Sequence, residues 1–252
     1  MACSKMKTIF TYDIDTGNEL GRGNFGAVYM GEHYKTKEKV VAKKLFLDRL
    51  PDREYATSEV AILKLGVRHD NIVDILYDED KGGEFWIIME FCDQGNLSQY
   101  CRKNHMDLYR KVDIMYQCSD ALVYLLNLKP ERVIHRDLKP ANILLCSMED
   151  GGLLAKISDF GMSRAIASST ATQLGTMAGS FHFMAPEIFQ GATYTRAVDV
   201  FALGIIIHYL LKVLTITCHK QAKSFDMFIL QRPKANSCLL GYNLKEVEIW
   251  KM

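Results

Sequence analysis

Neither sign of charge dominates this chain of 252 residues, because 31 Lys and Arg residues oppose 30 Asp and Glu residues. This balance gives no electrostatic reason to expect nucleic-acid or membrane binding. The N-terminus lacks the apolar stretch of a secretory signal peptide. The longest uncharged apolar run, residues 200–211, is too short to span a bilayer, and it predicts a buried helix.

The cysteines do not suit a disulfide framework. The chain has seven cysteines, so at least one of them cannot pair within the chain. No two of them form a C-x-x-C pair of the kind found in zinc sites. Their positions are Cys3, Cys92, Cys101, Cys118, Cys146, Cys218 and Cys238. This pattern is typical of reduced thiols, and we therefore expect a cytoplasmic protein.

The most informative stretch is His135-Arg136-Asp137-Leu138-Lys139-Pro140-Ala141-Asn142. It brings a carboxylate, an ammonium group and an amide into one short loop, the set that phosphoryl transfer to a hydroxyl needs. Asp137 can orient the hydroxyl and accept its proton, Lys139 can neutralise charge on the phosphate, and Asn142 can hold a metal ion. Asp159-Phe160-Gly161 follows 17 residues after Asn142 and adds a second metal-binding carboxylate.

A glycine-rich segment that begins at Leu20 carries the pattern G-x-G-x-x-G-x-V. Its glycines, Gly21, Gly23 and Gly26, let the backbone approach phosphates so that exposed N–H groups point at the anionic oxygens. The same glycine pattern opens a helix in dinucleotide-binding folds. Here residues 27–30 continue as a β-type run, so we predict a glycine-rich β-hairpin over a nucleotide.

These motifs stand in the chain order of the eukaryotic protein kinase family, and the sequence resembles that family from Glu19 to Leu211. The other signature pieces are a lysine on the next strand, a helix glutamate and Ala185-Pro186-Glu187. The resemblance implies an α+β, bilobal fold with a β-rich N-lobe that includes one helix and a mainly helical C-lobe. It also implies ATP and Mg²⁺ as cofactors and proteins as substrates.

The strand lysine has two candidates, Lys43 and Lys44. Because side chains alternate along a strand, only one of them can reach the α- and β-phosphates. Lys43 is preferred, since the family has an apolar residue directly before this lysine and Ala42 supplies it. Lys44 stays open as the alternative, because it would put Ala42 two residues earlier on the same face.

An acidic partner for this lysine is predicted on a helix over residues 52–67, where Val60, Leu63 and Val67 recur at helical spacing. Glu59 in this helix resembles the family's glutamate that pairs with the strand lysine. An ordinary exposed helix glutamate is the alternative interpretation.

The adenine-binding segment is predicted directly after the last apolar strand of the N-lobe. Residues 90–97 resemble the hinge of the family, and they are called the hinge from here on. In the family, backbone groups of the hinge bond the adenine edge, which points to Glu90 and Cys92 in this chain. Val28 above the ring and Leu144 below it would complete the pocket.

Residues 143–145 and 156–158 predict a short hairpin that delivers Asp159 to the metal site. His135 resembles a packed structural histidine of the family rather than a catalytic base. The resemblance assigns the role of base to Asp137 instead.

Residues 135–142 are called the catalytic loop from here on, and their ending, Lys139-Pro140-Ala141-Asn142, resembles that of kinases that phosphorylate serine and threonine. Tyrosine kinases usually carry an Ala/Arg pattern there. We therefore expect a protein serine/threonine kinase. A small-molecule kinase with a related N-lobe is disfavoured, because Ala185-Pro186-Glu187 belongs to kinases with protein substrates.

Residues 162–184 are rich in hydroxyl side chains and resemble an activation segment. In the family, the arginine before the catalytic aspartate, here Arg136, often receives a phosphate from this segment, and Arg164 can supply a second positive charge. Thr176 occupies the matching position, so an upstream activating kinase is expected to act on it. The competing sites are Ser168, Ser169, Thr170 and Thr172.

The resemblance ends after Leu211, and no segment resembling the last helices of the family's C-lobe follows. We therefore expect an incomplete C-lobe, apparently truncated after the helix of residues 200–211. The expected divisions are an N-terminal extension 1–13, an N-lobe 14–91, a partial C-lobe 92–213 and a divergent tail 214–252. The alternative function is a truncated, non-catalytic regulator that binds ATP or protein partners without turnover.

Overall fold

The computed structural model describes seven stretches of the chain, namely residues 6–23, 26–47, 69–128, 132–160, 164–166, 181–189 and 195–216. The chain divides after Leu211 into two compact units, 1–211 and 212–252. Of the second unit only residues 212–216, the last turns of a helix, are described.

The N-terminal stretches form one six-stranded sheet in the order β1-β2-β3-β4-β6-β5, and every pairing is antiparallel. The strands are β1 (Met6–Ile9), β2 (Tyr12–Arg22), β3 (Gly26–His33), β4 (Lys39–Leu45), β5 (Ile75–Lys81) and β6 (Glu84–Glu90). Because β1 is an edge strand of this sheet, part of the predicted extension 1–13 belongs to the sheet.

Side-chain alternation gives the sheet an apolar cluster on each face. Trp86 and Ile88 of β6 lie in one cluster, whereas their neighbours Phe85 and Ile87 lie in the other. Both faces are therefore buried in this strand, which explains why its sequence is a continuous apolar run.

The glycine-rich segment spans the end of β2 and the start of β3, which pair antiparallel with Gly21 opposite Val28. The backbone N–H of Gly23 donates to the carbonyl oxygen of Gly26 at 2.9 Å. The predicted β-hairpin is thus confirmed. The dinucleotide-binding interpretation is excluded, because the glycines lead into a strand and not into a helix.

The described residues contain four α-helices. They are α1 (Leu97–Lys103), α2 (Leu108–Asn127), α3 (Pro186–Phe189) and α4 (Ala197–Ile216). At the start of α1 the side chain of Asn96 accepts from the N–H of Gln99, and the side chain of Gln99 accepts from the N–H of Asn96. Asp107 caps α2 in a similar way by accepting from the N–H of Arg110 at 2.8 Å.

Two small antiparallel sheets accompany these helices. One pairs β7 (Arg132–Ile134) with β10 (Arg164–Ile166), and the other pairs β8 (Ile143–Ser147) with β9 (Leu153–Ile157). The second pair is the hairpin that the sequence predicts upstream of Asp159, and it is confirmed.

One apolar core joins α2, the β8–β9 hairpin and α4. Its members from α4 include Ala202, Ile206 and Leu210, so the predicted buried helix is confirmed. The same helix exposes Val200 and Leu211. In the described part of the chain, no helix is long and apolar enough to cross a membrane. The described residues confirm the predicted α+β architecture, with a β-rich N-lobe and a mainly helical C-lobe, as far as the described part of the chain extends.

Candidate active site

The predicted catalytic residues converge on the carboxylate of Asp137. Lys139 Nζ donates to Asp137 Oδ2 at 2.6 Å, and Asn142 Nδ2 donates to the same oxygen at 3.1 Å. Asn142 Nδ2 also donates to the backbone oxygen of Asp137 at 2.9 Å. The Asp137 side chain is only 9% exposed, so these charge-assisted bonds hold its carboxylate in one orientation.

The catalytic loop closes in a short 3₁₀ turn, Pro140–Asn142, that connects it to the segment before Asp159. The N–H of Asn142 donates to the carbonyl oxygen of Lys139 at 2.9 Å. The carbonyl oxygen of Asn142 in turn accepts from the N–H and the hydroxyl of Ser158, at 2.8 and 3.0 Å. The two predicted metal ligands, Asn142 and Asp159, therefore lie on segments that are bonded to each other.

Asp199, at the start of α4, holds the other end of the catalytic loop. Its carboxylate accepts from the backbone N–H of His135 at 2.7 Å and from that of Arg136 at 2.9 Å. Asp199 is almost fully buried, and this burial raises the pKa of its carboxyl group. Arg136 has φ of 68°, a strained conformation for a residue with a side chain. Helix α4 thus fixes the backbone directly before Asp137.

His135 is buried and fully engaged in hydrogen bonds, as its predicted structural role requires. Its Nδ1 accepts from the N–H of Asp137 at 3.3 Å, and its Nε2 donates to the carbonyl oxygen of Ser158, 3.0 Å away. The ring also packs against Phe160 with a centroid separation of 5.0 Å. The histidine links the two segments that carry Asp137 and Asp159.

Asp159 and Lys43 form an ion pair across the site. Lys43 Nζ lies 2.8 Å from Asp159 Oδ1, and the two side chains are 12% and 47% exposed. The positive charge of Lys43 lowers the pKa of the Asp159 carboxyl to about 2. Asp159 has φ of 64°, so the backbone turns sharply as its carboxylate enters the site.

Lys44 lies on the opposite face of β4. Its Nζ contacts the carboxylate of Glu84 and lies 5.5 Å from the ring centroid of Trp86. Hydrogen bonds from Lys44 and from Lys7 lower the pKa of Glu84 to about 2. Of the two lysines that the sequence left open, the structure brings Lys43 to Asp159 and turns Lys44 away.

The glycines of the hairpin differ in their surroundings. Gly21 and Gly23 are exposed, and a Cβ atom at either position would meet no atom within 4 Å. Gly26 is buried, and a Cβ atom there would lie 2.5 Å from the carbonyl oxygen of Lys44. The first two glycines therefore leave backbone open at the tip of the hairpin, whereas Gly26 allows the close approach of β3 and β4.

Two hydrogen bonds hold the side chain of Glu90, the first residue of the hinge. The carboxylate of Glu90 accepts from Lys156 Nζ at 2.7 Å and from the N–H of Asp74 at 2.8 Å. Lys156 lies in β9 and its side chain is only 8% exposed, so this ion pair is well shielded from water. Glu90 is thus fixed with its side chain turned to protein partners.

The remaining hinge residues run along β8. The N–H of Gln94 donates to Leu145 at 3.0 Å, and the N–H of Leu145 donates to Gly95 at 2.8 Å. Asp93 accepts from the N–H of Ser147 at 2.8 Å and from its hydroxyl at 2.6 Å. The bonds from Ser147 lower the pKa of Asp93 against the opposing effect of burial.

The other predicted nucleotide-binding residues, Leu20, Val28 and Leu144, lie in β2, β3 and β8. Val28 pairs with Lys43 across β3 and β4 and is half-buried. Leu144 pairs with Lys156 across β8 and β9 and forms a bridge to Asn96. Leu20, in the exposed part of β2, retains 47% of its accessible surface.

Several predictions lie outside the described residues. These are the helix of residues 52–67 with Glu59, the glycine Gly161, the phosphorylation site Thr176 with its competitors, and the tail after residue 216. For Arg164 the backbone is described as part of β10, but its side chain is not.

Sequence reasoning did not assign Asp199, Lys156 or Ser158 to the site. The sequence contained one indication for Asp199. The helix that follows it is apolar enough to be buried, and a carboxylate that is buried with such a helix needs hydrogen-bond partners. Lys156 carried another, since it interrupts the apolar strand β9 between Ala155 and Ile157. Ser158 carried none, as its partner Asn142 is recognised only from the fold.

The described residues contain no cluster of three or more His, Cys, Asp or Glu side chains that could hold a metal ion by themselves. The site instead offers the single carboxylate of Asp159 and the amide of Asn142. A donor set of this kind suits Mg²⁺, which takes its other oxygens from phosphates and water.

Comparison with known proteins shows the family to which the chain belongs. The sequence profile named protein kinase domain matches residues 14–248, which extends beyond the resemblance that the motifs alone define. The serine/threonine-protein kinase MST20 of Pyricularia oryzae is 34% identical over 188 residues, which are 75% of this chain and 20% of that protein. The serine/threonine-protein kinase pakB of Dictyostelium discoideum is 33% identical over 188 residues, 75% of this chain and 21% of that protein.

A third relative, the serine/threonine-protein kinase ATG1 of Debaryomyces hansenii, is 29% identical over an alignment of 241 residues that covers 81% of this chain and 27% of that protein. The chain therefore spans between a fifth and somewhat over a quarter of the length of these curated relatives, from 20% to 27%.

Proposed function

The chain belongs to the protein kinase family, in its serine/threonine branch, and we propose that it transfers the γ-phosphate of ATP to serine and threonine hydroxyls of proteins. The observation that carries the proposal is the position of the Asp137 carboxylate, held by Lys139 and Asn142. A positioned carboxylate with an ammonium group beside it is the arrangement that this reaction needs at the acceptor hydroxyl.

In the proposed reaction Asp137 orients the substrate hydroxyl and accepts its proton. Lys139, whose Nζ lies 2.6 Å from Asp137 Oδ2, neutralises negative charge on the transferring phosphoryl group. Both groups act by position and charge, and neither needs to form a covalent bond. Asp199 contributes indirectly, because it fixes the backbone before Asp137.

The nucleotide end of the reaction involves Lys43 and the hairpin. Lys43 would bind the α- and β-phosphates, and the open backbone of Gly21 and Gly23 would cover them. Gly26 supports this role by holding β3 against β4. Glu59 is the proposed anionic partner of Lys43 on sequence grounds alone.

The adenine end involves the hinge. The carbonyl oxygen of Glu90 and the N–H of Cys92 are the proposed partners of the adenine edge. Leu20 and Val28 from the hairpin side and Leu144 from β8 would enclose the ring with apolar surface.

Magnesium is the metal that the family generally uses, and the donors present fit it. Asn142 Nδ2 is engaged by Asp137, so the amide has its carbonyl oxygen left to offer a metal ion. The Asp159 carboxylate is ionised over the whole physiological range, since its pKa is about 2. When bound, magnesium neutralises charge on the phosphates of ATP.

A peptide library tests the choice of acceptor. Matched peptides that differ only in a central Ser, Thr or Tyr are incubated with Mg-ATP and the purified chain. The proposal predicts phosphate on the Ser and Thr peptides, and faster labelling of the Tyr peptide would contradict it. Binding of Mg-ATP without transfer to any peptide would favour the alternative, a non-catalytic regulator that binds nucleotide or protein partners.

The setting of the reaction is proposed on sequence grounds. An upstream kinase that phosphorylates Thr176 would activate the chain, with Arg136 receiving the phosphate. The four described cysteines are free thiols, in keeping with the proposed cytoplasmic location. Nucleic acids and membranes are not proposed as partners, since the net charge is only +1.

A further inference from the structure

The side chains of Glu19 and Arg22 form an ion pair beside the glycines of the hairpin. Arg22 Nε donates to Glu19 Oε1 at 3.0 Å, and Arg22 Nη2 donates to the second carboxylate oxygen. A planar guanidinium that bonds both oxygens of a carboxylate fixes their relative orientation. Gly21 lies between the two residues and Gly23 follows Arg22, so the pair brackets backbone that is proposed to cover the phosphates. None of the roles described above uses either side chain.

An extra residue in β2 brings these two side chains to the same face of the sheet. Residues three positions apart in a regular strand point to opposite faces. Here Glu19 lies opposite Tyr29 and Arg22 lies opposite Ala27, so three steps along β2 correspond to only two steps along β3. This shift of register is a β-bulge, and it places both side chains on the face that Tyr29 and Ala27 share. The ion pair therefore depends on the bulge and stabilises it in turn.

Arg22 lies on the face of the sheet that is turned away from Lys43. Its partner Ala27 lies opposite Lys44 in the next strand and belongs to an apolar cluster on that face. Directly opposite residues of neighbouring strands share a face, whereas Lys43, one position before Lys44, points to the other. A nucleotide bound at Lys43 would lie on that other face. Any effect of Arg22 on the nucleotide must therefore pass through the backbone of the hairpin.

The guanidinium of Arg22 also lies over the ring of Phe46, the residue that follows the last residue of β4. Arg22 Cζ is 5.2 Å from the ring centroid, a distance at which the cation is attracted to the aromatic ring. Phe46 packs against the same apolar cluster as Ala27. Arg22 thus connects the bulged end of β2 to a ring two strands away that is anchored in the core.

We propose that Arg22 is a positioning residue for the phosphates of the nucleotide. Held by Glu19 and by Phe46, it fixes the backbone of Gly21 and Gly23 from the face opposite to the nucleotide. Without these contacts the bulged end of β2 can move relative to β4. The hairpin must then be ordered when the nucleotide binds, and this ordering lowers the affinity. The proposal rests on the proposed function, because that function assigns the phosphates to the hairpin.

The expected effect is modest, because the contacts are partly open to water. The side chains of Arg22 and Glu19 are 51% and 33% exposed. An exposed ion pair and an exposed cation–π contact each contribute little, so their combined loss should weaken phosphate binding by about three- to tenfold. The effect should be confined to ligands that carry phosphates, since Arg22 acts on the hairpin alone.

The test compares the affinities of the full chain for Mg-ADP and for adenosine, which has no phosphates, by isothermal titration calorimetry. In Arg22→Met we expect the affinity for Mg-ADP to fall about three- to tenfold while the affinity for adenosine is unchanged. Arg22→Lys keeps a cation but cannot bond both carboxylate oxygens, so its loss should be smaller. The matched control is Lys37→Met, which removes another exposed ion pair, with Glu32 of β3, and should change neither affinity.

The contact with Phe46 is tested by Phe46→Leu, alone and combined with Arg22→Met. The combined loss of affinity for Mg-ADP should be smaller than the sum of the single losses, because both substitutions remove the same contact. Additive losses would overturn the part assigned to Phe46.

Two results with Arg22→Met would overturn the proposal as a whole. One is an affinity for Mg-ADP equal to that of Lys37→Met, and the other is an equal loss for Mg-ADP and adenosine, which would show general damage to the N-lobe. In both cases the wild type binds Mg-ADP and the proposed function stands. Failure of the wild type to bind Mg-ADP would contradict the proposed function and this proposal with it.

Discussion

Lys43 Nζ lies 2.8 Å from Asp159 Oδ1, although the two residues are 116 positions apart in the chain. This ion pair joins strand β4 of the N-lobe sheet to the segment that follows β9. The pair connects the proposed phosphate-binding residue with the proposed metal ligand, so each holds the other in position. A change at either residue should therefore affect both nucleotide binding and transfer.

Replacing the two neighbouring lysines separates their roles. Lys43→Met removes the charge beside Asp159, and we expect phosphate transfer to fall by about 100-fold or more. Lys44→Met removes a contact with Glu84 on the opposite face of β4, and transfer should stay within about twofold of the wild type once any loss of stability is allowed for. The measurement is the rate of phosphate transfer at saturating Mg-ATP for both variants. A greater loss of rate in Lys44→Met than in Lys43→Met would contradict the assignment of Lys43 as the phosphate-binding lysine.

Acid should weaken the fold partly through Asp159. The pKa of its carboxyl is about 2 in the folded chain against an ordinary value of 3.8, so the ionised group stabilises the fold above about pH 4. That contribution is lost as the pH falls from the ordinary value through the folded value. When the pH falls from about 4 to about 2, the free energy of unfolding should therefore decrease less in Lys43→Met than in the wild type. Urea unfolding at a series of pH values measures both decreases. Equal losses would mean that the ion pair does not depress the pKa.

Alanine at two glycines should produce opposite kinds of defect. Gly26→Ala puts a Cβ atom 2.5 Å from the carbonyl oxygen of Lys44, and we expect a loss of about 1–3 kcal/mol in the free energy of unfolding. Gly21→Ala meets open space, so its stability should match the wild type while its affinity for Mg-ATP falls. Thermal unfolding with and without Mg-ATP distinguishes the two. A stable Gly26→Ala would show that β3 and β4 can separate at little cost.

The buried carboxylate of Asp199 should matter for both stability and rate. In Asp199→Asn one of the two N–H groups that it bonds faces an amide NH₂, so we expect a cost of about 1–3 kcal/mol by urea unfolding. The rate of transfer should also fall, because the backbone before Asp137 is released. The control is Asp120→Asn, an exposed carboxylate beside His69, which should change stability by no more than about 0.5 kcal/mol.

Local patterns in the sequence predicted those parts of the fold that depend on neighbours in the chain. The β-type run after the glycines indicated a hairpin and not a helix, and the apolar residues 143–145 and 156–158 indicated the β8–β9 pair. Strand alternation showed that only one of Lys43 and Lys44 could enter the site. The sequence preferred Lys43 because Ala42 precedes it, whereas the contacts of the two lysines with Asp159 and Glu84, which are distant in sequence, are seen only in the fold.

The residues that sequence reasoning missed act through long-range bonds. Asp199 bonds backbone N–H groups 63 and 64 positions away, and Lys156 bonds Glu90 across 66 positions. Each residue supports a loop that lies far from it in the sequence, so its partner is seen only in the fold. The proposed catalytic residues were recognisable because Asp137, Lys139 and Asn142 lie within six consecutive residues.

Phosphate transfer from labelled Mg-ATP to a protein substrate, measured for the wild type and for Asp137→Asn, tests the central claim most directly. The account predicts transfer by the wild type and a loss of about 10²- to 10⁴-fold in the variant, with affinity for Mg-ATP retained in both. Equal transfer by the two proteins would contradict the role of Asp137. Mg-ATP binding by the wild type without any transfer would contradict the proposed activity and favour the non-catalytic regulator.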